Sequence, residues 1–269
     1  MRVIYGPVPS WRLGRSLGID LLPGRGKTCS FDCVYCQLGW TTRFAVERQV
    51  FVETGRLRAE LDALLLTAAD IDYLTFSGTG EPTLAANLGE AIDLVHSWPA
   101  LPSVPVAVLT NATLLSRPDV CHDLARADLV VAKLDAPDEA LFQIINRPVV
   151  SVGWFQVVKG IHTFRQEFDG RLALQMMFID ANLQWADQMA TLARSLDPDE
   201  VQLNTPLRSS PTPPLGRAAM AEIEQAFSGL PVVNVYGAQP PKVHVLDRAD
   251  VRRRRPVEGH PGIVEKEVN

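Results

Sequence analysis

The chain has few cysteines, no basic excess and no long apolar run, and each shortage argues against a class of protein. Only 4 of its 269 residues are cysteines, too few for the disulfide framework of a small secreted protein. No apolar run approaches the ~20 residues that cross a bilayer, and the first residues lack the apolar core of a secretory signal. The chain carries 26 basic and 31 acidic residues, a net charge of -5. Nucleic-acid-binding proteins more often carry a basic excess.

The rest of the composition is ordinary for a globular protein, with 46% hydrophobic and 21% charged residues. A chain of this length buries a large core, and one α/β barrel with a small extension accounts for it. The one dense basic run, residues 252–255, indicates a solvated basic turn more often than a phosphate-binding patch. Thiols kept reduced as metal ligands indicate a cytoplasmic location.

Three of the four cysteines stand close together. Cys29, Cys33 and Cys36 form a C-x3-C-x2-C triplet. A zinc site usually takes four ligands from two separated pairs, and the only other cysteine, Cys121, lies in a distant helical pattern. The irons of a cubane iron–sulfur cluster are normally ligated by four cysteines, so a triplet leaves one iron open. The triplet therefore favours a cluster loop over a zinc site or a disulfide.

With Tyr35 directly before its last cysteine, the triplet resembles the signature of the radical S-adenosylmethionine superfamily. The resemblance implies that Cys29, Cys33 and Cys36 are the catalytic, metal-binding residues and hold a [4Fe-4S] cluster. It also implies that S-adenosylmethionine binds the open iron and is cleaved reductively. The resulting 5′-deoxyadenosyl radical then abstracts hydrogen from a substrate. An electron donor such as flavodoxin or ferredoxin is implied as a partner.

Apolar runs alternate with amphipathic segments along most of the chain. They predict six strands, at residues 17–22, 71–76, 104–109, 129–134, 172–179 and 200–203. Such alternation predicts a parallel sheet covered by helices, either doubly wound or curled into a barrel. The family resemblance chooses the barrel and implies an α/β fold with a partial (β/α)6 TIM-like barrel over residues 1–208. A proline-rich segment at 206–216 marks the boundary to a C-terminal extension, residues 209–269.

Polar residues follow several predicted strands, where barrel enzymes place their chemistry. Gly78-Thr79-Gly80-Glu81 follows the second strand and resembles the family's Gly-Gly-Glu element, which holds the methionine amino group. Its glycines let backbone amides approach a ligand, and Glu81 can accept hydrogen bonds from an ammonium. The same resemblance implies cofactor-binding roles for Tyr35, Gln37, Asn111, Lys133, Asp135, Met177 and Asn204. For Met177 and Asn204, core packing or a turn explains the residue equally well.

The segments on both sides of the cluster loop narrow the resemblance to a prokaryotic group described as wyosine-synthase-like. Residues 5–10, 12–18, 35–39 and 41–42 carry this likeness. Trp11 and Trp40 stand where that group is expected to carry arginine, and Cys121 alone cannot supply a second cluster. We therefore expect a small-molecule or peptide substrate. The alternatives are tRNA base modification of the wyosine type and a non-catalytic iron–sulfur scaffold or sensor.

Overall fold

An eight-stranded sheet organises the molecule, whose computed structural model describes residues 1–64, 70–101 and 103–254, apart from the side chain of residue 253. A two-stranded sheet leads into and out of the cysteine loop. The large sheet contains β1 (Ile4–Ser10), β2 (Gly14–Ile19), β5 (Tyr73–Phe76), β6 (Val106–Thr110), β7 (Leu129–Lys133), β8 (Arg171–Met177), β9 (Glu200–Asn204) and β10 (Val232–Asn234). The small sheet contains β3 (Lys27–Cys29) and β4 (Thr41–Phe44).

Helices connect the parallel strands. They are α1 (Thr54–Asp62), α2 (Leu88–His96), α3 (Pro118–Leu124), α4 (Glu139–Ile145), α5 (Trp154–Glu167), α6 (Ala186–Leu196), α7 (Arg217–Ala226) and α8 (Arg248–Arg254). The strand order is β1-β2-β5-β6-β7-β8-β9-β10, and every pair from β2 to β10 is parallel. The predicted α/β fold with a partial TIM-like barrel is confirmed. No helix in the described ranges is both long and apolar enough to cross a membrane.

Side-chain alternation along the strands separates an apolar level of the barrel from a polar one. Leu129 and Val131 on β7 pack with Ala173 on β8 and with Leu13, which precedes β2. Because side chains two apart point to the same face, Lys133 continues the row of Leu129 and Val131 towards the end of β7. The carboxyl ends of the strands therefore present polar side chains above a filled apolar level.

Two strands of the large sheet differ from the sequence prediction, and the small sheet of β3 and β4 was not predicted. The first, β1, was not expected, because Gly6, Pro7 and Pro9 indicate a turn. It is the edge strand of the sheet and pairs antiparallel with β2 alone, and edge strands tolerate proline. The second, β10, was expected as a strand at residues 232–236 of the C-terminal extension, but it pairs parallel with β9 in the main sheet. The division of the chain at residue 208 stays a prediction.

Candidate active site

The cluster loop, residues 29–36, begins at the end of β3, and β3 is hydrogen-bonded to the glycine turn that follows β5. The amide of Thr28 donates to the carbonyl of Thr79 at 3.0 Å, and the amide of Glu81 donates to the carbonyl of Thr28 at 3.1 Å. A side chain at Gly80, between these two bonds, would overlap the Thr28 backbone. The backbone spacing between the two loops therefore requires glycine at position 80.

Two of the three cysteines lie buried beside amide donors. Cys29 receives a contact of 3.5 Å from Asn111 Nδ2, and Cys33 receives one of 3.5 Å from Asn146 Nδ2. Burial raises the pKa of the Cys29 thiol to about 12 and that of Cys33 to about 11, although the ammonium of Lys27 opposes both shifts. Without metal these thiols stay protonated, so iron binding would have to displace their protons. Sulfur ligands with nearby N–H donors suit an iron–sulfur cluster.

A buried ammonium completes the surroundings of the cysteines. The Lys27 side chain is 4% exposed, and Nζ has no hydrogen-bond partner among the described residues. The carboxylate of Asp32 lies 4.0 Å away. Burial lowers the pKa of Lys27, but the charges of Cys36, Cys29 and Cys33 raise it, and the net pKa is above its ordinary value. The lysine thus depends for charge compensation on the sulfurs and on the more distant Asp32 carboxylate.

The Glu81 carboxylate is buried and saturated by donors of the protein itself. Oε1 accepts from Thr83 N at 3.1 Å, from Thr83 Oγ1 at 2.6 Å and from Thr110 Oγ1 at 2.6 Å, and Oε2 accepts from Asn111 N at 2.7 Å. Burial raises the pKa of Glu81, while these hydrogen bonds oppose the shift. A carboxylate has about four lone-pair positions. Glu81 therefore fixes the turn after β5 to the end of β6.

A second buried carboxylate, Asp135, connects the ends of β7 and β8 to the cluster loop. Tyr35 Oη donates to Asp135 Oδ2, which also accepts from Asn146 Nδ2 at 2.7 Å, and Oδ1 accepts from Met177 N at 2.8 Å. Lys133 Nζ lies 3.5 Å from Oδ1 and 4.8 Å from the centre of the Tyr35 ring. Burial raises the pKa of Tyr35 well above its ordinary range. Tyr35 therefore remains a neutral donor.

A cavity of about 380 Å³ opens beside Cys36 at the carboxyl ends of the strands. Its walls combine the cluster loop with β7, β8 and β9. Among the residues expected to bind the cofactor, the walls contain Tyr35, Gln37, Lys133, Met177 and Asn204. Three others, Glu81, Asn111 and Asp135, are buried just beyond the ends of β5, β6 and β7 and act through hydrogen bonds. The structure thus brings these predicted residues to one end of the sheet.

The glycine turn borders a different cavity, of about 600 Å³, to which Thr79, Lys27 and Arg25 contribute. Gly78 has φ +153°, and a side chain there would overlap Asp20. Asp20 Oδ2 accepts from Thr79 N at 3.2 Å and from Thr79 Oγ1 at 2.9 Å. Thr79 therefore positions the turn through its side chain as well as its backbone.

The expectation of a solvated basic turn at residues 252–255 is wrong for Arg254. Its side chain is 1% exposed and donates from Nε to Asp20 Oδ2 at 2.8 Å and from Nη1 to Asp250 Oδ2 at 2.8 Å. It also donates to the carbonyl of Arg2, and its guanidinium lies 4.6 Å from the Tyr5 ring centre. The arginine faces the N-terminal hairpin because α8 packs on β1. Arg255 lies outside the described residues.

Sequence reasoning missed several residues of the site, above all Asn146, Lys27 and Ser30. Ser30 Oγ and Asn111 Nδ2 lie 2.8 Å apart. Asn146 follows α4, where a polar residue indicates an ordinary helix end. No motif distinguishes these side chains from turn residues. Cys121 was expected to be a buried free thiol; it is a free thiol on α3, but it is only partly buried, with Sγ donating to Leu115 O at 3.2 Å.

In residues 1–64, 70–101 and 103–254, no three His, Cys, Asp or Glu side chains are arranged to hold one metal ion. A cubane cluster does not need such an arrangement, because each cysteine binds a different iron.

Comparison with protein families gives a match over residues 25–193 to the model described as the Radical SAM superfamily. A UPF0026 protein from Synechocystis is 44% identical over 211 residues, covering 77% of this chain and 77% of that protein. A UPF0026 protein from Methanocaldococcus jannaschii is 36% identical over 214 residues, covering 77% of this chain and 64% of the relative.

Among solved structures, SuiB from Streptococcus suis bound to its precursor peptide SuiA matches with a TM-score of 0.60 and 13% identity. The match covers 81% of this chain and 48% of that one, so the chain spans about half of SuiB. At this identity the likeness concerns the fold.

Proposed function

The chain belongs to the radical S-adenosylmethionine superfamily, and on this premise we propose that its 5′-deoxyadenosyl radical abstracts hydrogen from a small molecule or a peptide. The protein is an enzyme of the radical S-adenosylmethionine type, and its cofactors are a [4Fe-4S] cluster and S-adenosylmethionine. The observation that supports the proposal most is the cavity beside Cys36, which collects five expected cofactor-binding residues at the strand ends.

Cys29, Cys33 and Cys36 would hold the cluster. Their surroundings fit it, because two sulfurs have amide donors, and the buried ammonium beside all three has no hydrogen-bonded oxygen or nitrogen among the residues that the structure describes. When bound, the cluster supplies the electron for reductive cleavage of the sulfonium. Asn111 and Asn146 would orient the thiolates.

The turn from Gly78 to Glu81 would bind the amino end of S-adenosylmethionine. Glu81 holds this turn through four hydrogen bonds and supports the ammonium electrostatically. Lys133 is a cation at the cavity wall and suits the cofactor carboxylate. Tyr35, Gln37, Met177 and Asn204 would enclose the remaining part of the cofactor and exclude water.

A small molecule or peptide is preferred over whole tRNA for two reasons. The net charge is -5, and Arg254, one of the four arginines available for phosphate contacts, is taken up by Asp20 and Asp250. In SuiB the bound molecule is a precursor peptide, which makes peptides a class to test. Flavodoxin or ferredoxin in the cytoplasm would provide the electron.

The test is to measure 5′-deoxyadenosine formed by anaerobically reconstituted enzyme with S-adenosylmethionine and dithionite. Small metabolites, short peptides and bulk tRNA are added in separate arms. We expect acceleration by a member of the first two groups. Acceleration by tRNA alone would support the wyosine-type alternative. A loaded enzyme that forms no 5′-deoxyadenosine in any arm would support the scaffold alternative.

A salt titration of tRNA binding separates specific from adventitious contact, because phosphate-driven binding weakens steeply with salt. Arg252 is exposed on α8 and is the residue to replace, since Arg254 is buried. Micromolar tRNA binding at physiological salt that is lost in Arg252→Ala would overturn the preference for a small substrate.

A further inference from the structure

Lys27 is a buried cation whose protein partners are incomplete. Its ammonium has three hydrogens to donate, yet Nζ makes no hydrogen bond within the described ranges. The Asp32 carboxylate is 4.0 Å away, and its Oδ1 already accepts from Thr41 N at 2.6 Å. A buried charge without hydrogen bonds is costly unless an opposite charge compensates it.

The groups that can provide this compensation are the three cysteines. Lys27 Nζ lies 4.0 Å from Oδ1 of Asp32, which directly precedes Cys33 in the cysteine loop. In keeping with this position, the ammonium interacts electrostatically with Cys36, Cys29 and Cys33, most strongly with Cys36. Protonated thiols carry no charge, so the lysine gains anionic neighbours beyond Asp32 only when the cysteines are thiolates. Iron binding produces that state, because a coordinating thiol is deprotonated. The ammonium therefore matches the cluster-loaded protein better than the metal-free one.

The positive charge of Lys27 should make reduction of the cluster more favourable. One-electron reduction makes a cysteine-ligated cluster more negative, and a cation in a low-dielectric environment stabilises the added charge. Net charge, hydrogen bonds to the sulfurs and solvent exposure are the factors by which proteins set cluster potentials. Lys27 contributes a charge at a position that water screens little.

We propose that Lys27 compensates the negative charge of the cluster held by Cys29, Cys33 and Cys36 and thereby raises its reduction potential. Lys27 thus acts on electron uptake through its charge, as a positioning residue, and does not itself bind the open iron. The inference rests on the proposed function only in requiring the cluster to be present. A competing role is anion binding, because Lys27 and Arg25 also line the cavity of about 600 Å³ beside Thr79.

The experiment is a redox titration of the reconstituted cluster, followed by electron paramagnetic resonance without S-adenosylmethionine or substrate. Lys27→Met removes the charge and keeps an apolar stem. We expect its reduction equilibrium to be at least tenfold less favourable than in the wild type, a potential about 59 mV more negative for one electron. Lys27→Arg, which keeps the charge, should lie closer to the wild type. Arg25→Met is the matched control, since Arg25 is an exposed cation of the same loop.

A potential of Lys27→Met equal to that of Arg25→Met would overturn the inference, and so would equal potentials of the Met and Arg variants at position 27. A normal potential combined with weakened S-adenosylmethionine binding would assign Lys27 to anion binding instead. Failure of the wild type to assemble a cluster would contradict the proposed function and is seen separately, in the iron count.

If the Lys27→Met variant does not retain iron, the melting temperature of the cluster-free protein tests the inference instead. The melting temperature of the cluster-free variant should equal or exceed that of the cluster-free wild type, because an uncompensated charge has been removed. A lowered melting temperature would mean that protein groups already satisfy the lysine, and would contradict the inference.

Discussion

Two buried cations, Arg254 and Lys27, occupy opposite situations in this molecule. The side chain of Arg254 is 1% exposed and has two carboxylates, a carbonyl and an aromatic ring as partners. The side chain of Lys27 is 4% exposed and has no hydrogen bond among the described residues. Buried polar groups in folded proteins are usually satisfied, and the exceptions need an explanation. The comparison indicates that Arg254 serves the fold, whereas Lys27 serves a group that the protein acquires.

The largest effect on this comparison is expected from removing the three cysteines whose thiolates would compensate the charge of Lys27. We predict that the triple variant Cys29→Ala, Cys33→Ala, Cys36→Ala retains no [4Fe-4S] cluster after anaerobic reconstitution, because the iron then lacks its thiolate ligands. Iron and sulfide counting checks this. Cys121→Ala should keep the full cluster, since this thiol lies in α3 and bonds to a carbonyl. Undiminished iron in the triple variant would refute the assignment.

Removing Arg254 should affect the cluster-free and the loaded protein alike. Arg254→Ala leaves Asp20 and Asp250 without their cation, and breaking a buried pair in this way costs up to about 3–5 kcal/mol of unfolding free energy. Arg252→Ala, exposed on the same helix, is the control. Urea denaturation of both forms measures the loss. A loss confined to the loaded protein would place Arg254 in the same class as Lys27.

The effect of Arg254→Ala should depend on pH in a direction fixed by Asp20. Burial raises the pKa of Asp20, and Arg254 opposes the shift. A carboxyl with a raised pKa contributes stability below its unfolded pKa, and this stability is lost as the pH rises through the folded pKa. Without Arg254 the pKa rises further. The destabilisation should therefore be larger at neutral than at acid pH; the opposite trend in denaturation curves would contradict this pairing.

Glu81 is a buried carboxylate that, like Arg254, already has its hydrogen-bond partners within the protein. We predict that Glu81→Ala weakens S-adenosylmethionine binding by roughly tenfold or more, about 1.4 kcal/mol, because it removes the four hydrogen bonds that hold the turn and the negative charge that supports the ammonium. Equilibrium dialysis of the reconstituted protein measures the affinity. Glu90→Ala, an exposed glutamate on α2, is the control. Unchanged affinity in Glu81→Ala would remove Glu81 from the site.

The partly exposed pair Arg15–Asp72 gives the smallest expected effect. Arg15 Nη2 lies 2.7 Å from Asp72 Oδ1 and holds the pKa of this carboxyl below its ordinary value. The pair stabilises the fold above the ordinary carboxyl pKa and loses this contribution as the pH falls through the lowered pKa. We expect a small decrease in melting temperature in Arg15→Ala at pH 7 that shrinks with salt. A decrease as large as that of Arg254→Ala would mean that burial does not separate the two arginines.

The sequence was informative where one pattern decides a structure. Apolar runs located the six central strands of the sheet, and the spacing of Cys29, Cys33 and Cys36 predicts the cluster loop. The edge strand β1 was missed because Pro7 and Pro9 indicate a turn, and only the sheet topology shows that they lie where proline is tolerated.

The burial and the partners of the two cations could not be predicted from the sequence, for a related reason. A run of arginines near the C-terminus indicates a solvated surface, and nothing in the sequence pairs Arg254 with Asp20, which is 234 residues away. Lys27 and Asn146 likewise gain their meaning only from the fold, which brings them to the cysteines. The residues that a motif names were predicted, and the residues that support them were not.

The central claim, that three cysteines hold a cluster with which the enzyme cleaves S-adenosylmethionine, is tested most directly by chromatographic measurement of 5′-deoxyadenosine. Reconstituted wild-type protein and the triple cysteine variant are incubated anaerobically with S-adenosylmethionine and dithionite. The account predicts 5′-deoxyadenosine from the wild type and from Cys121→Ala, and none from the triple variant. Equal product from the triple variant, or no product from iron-loaded wild type, would contradict it.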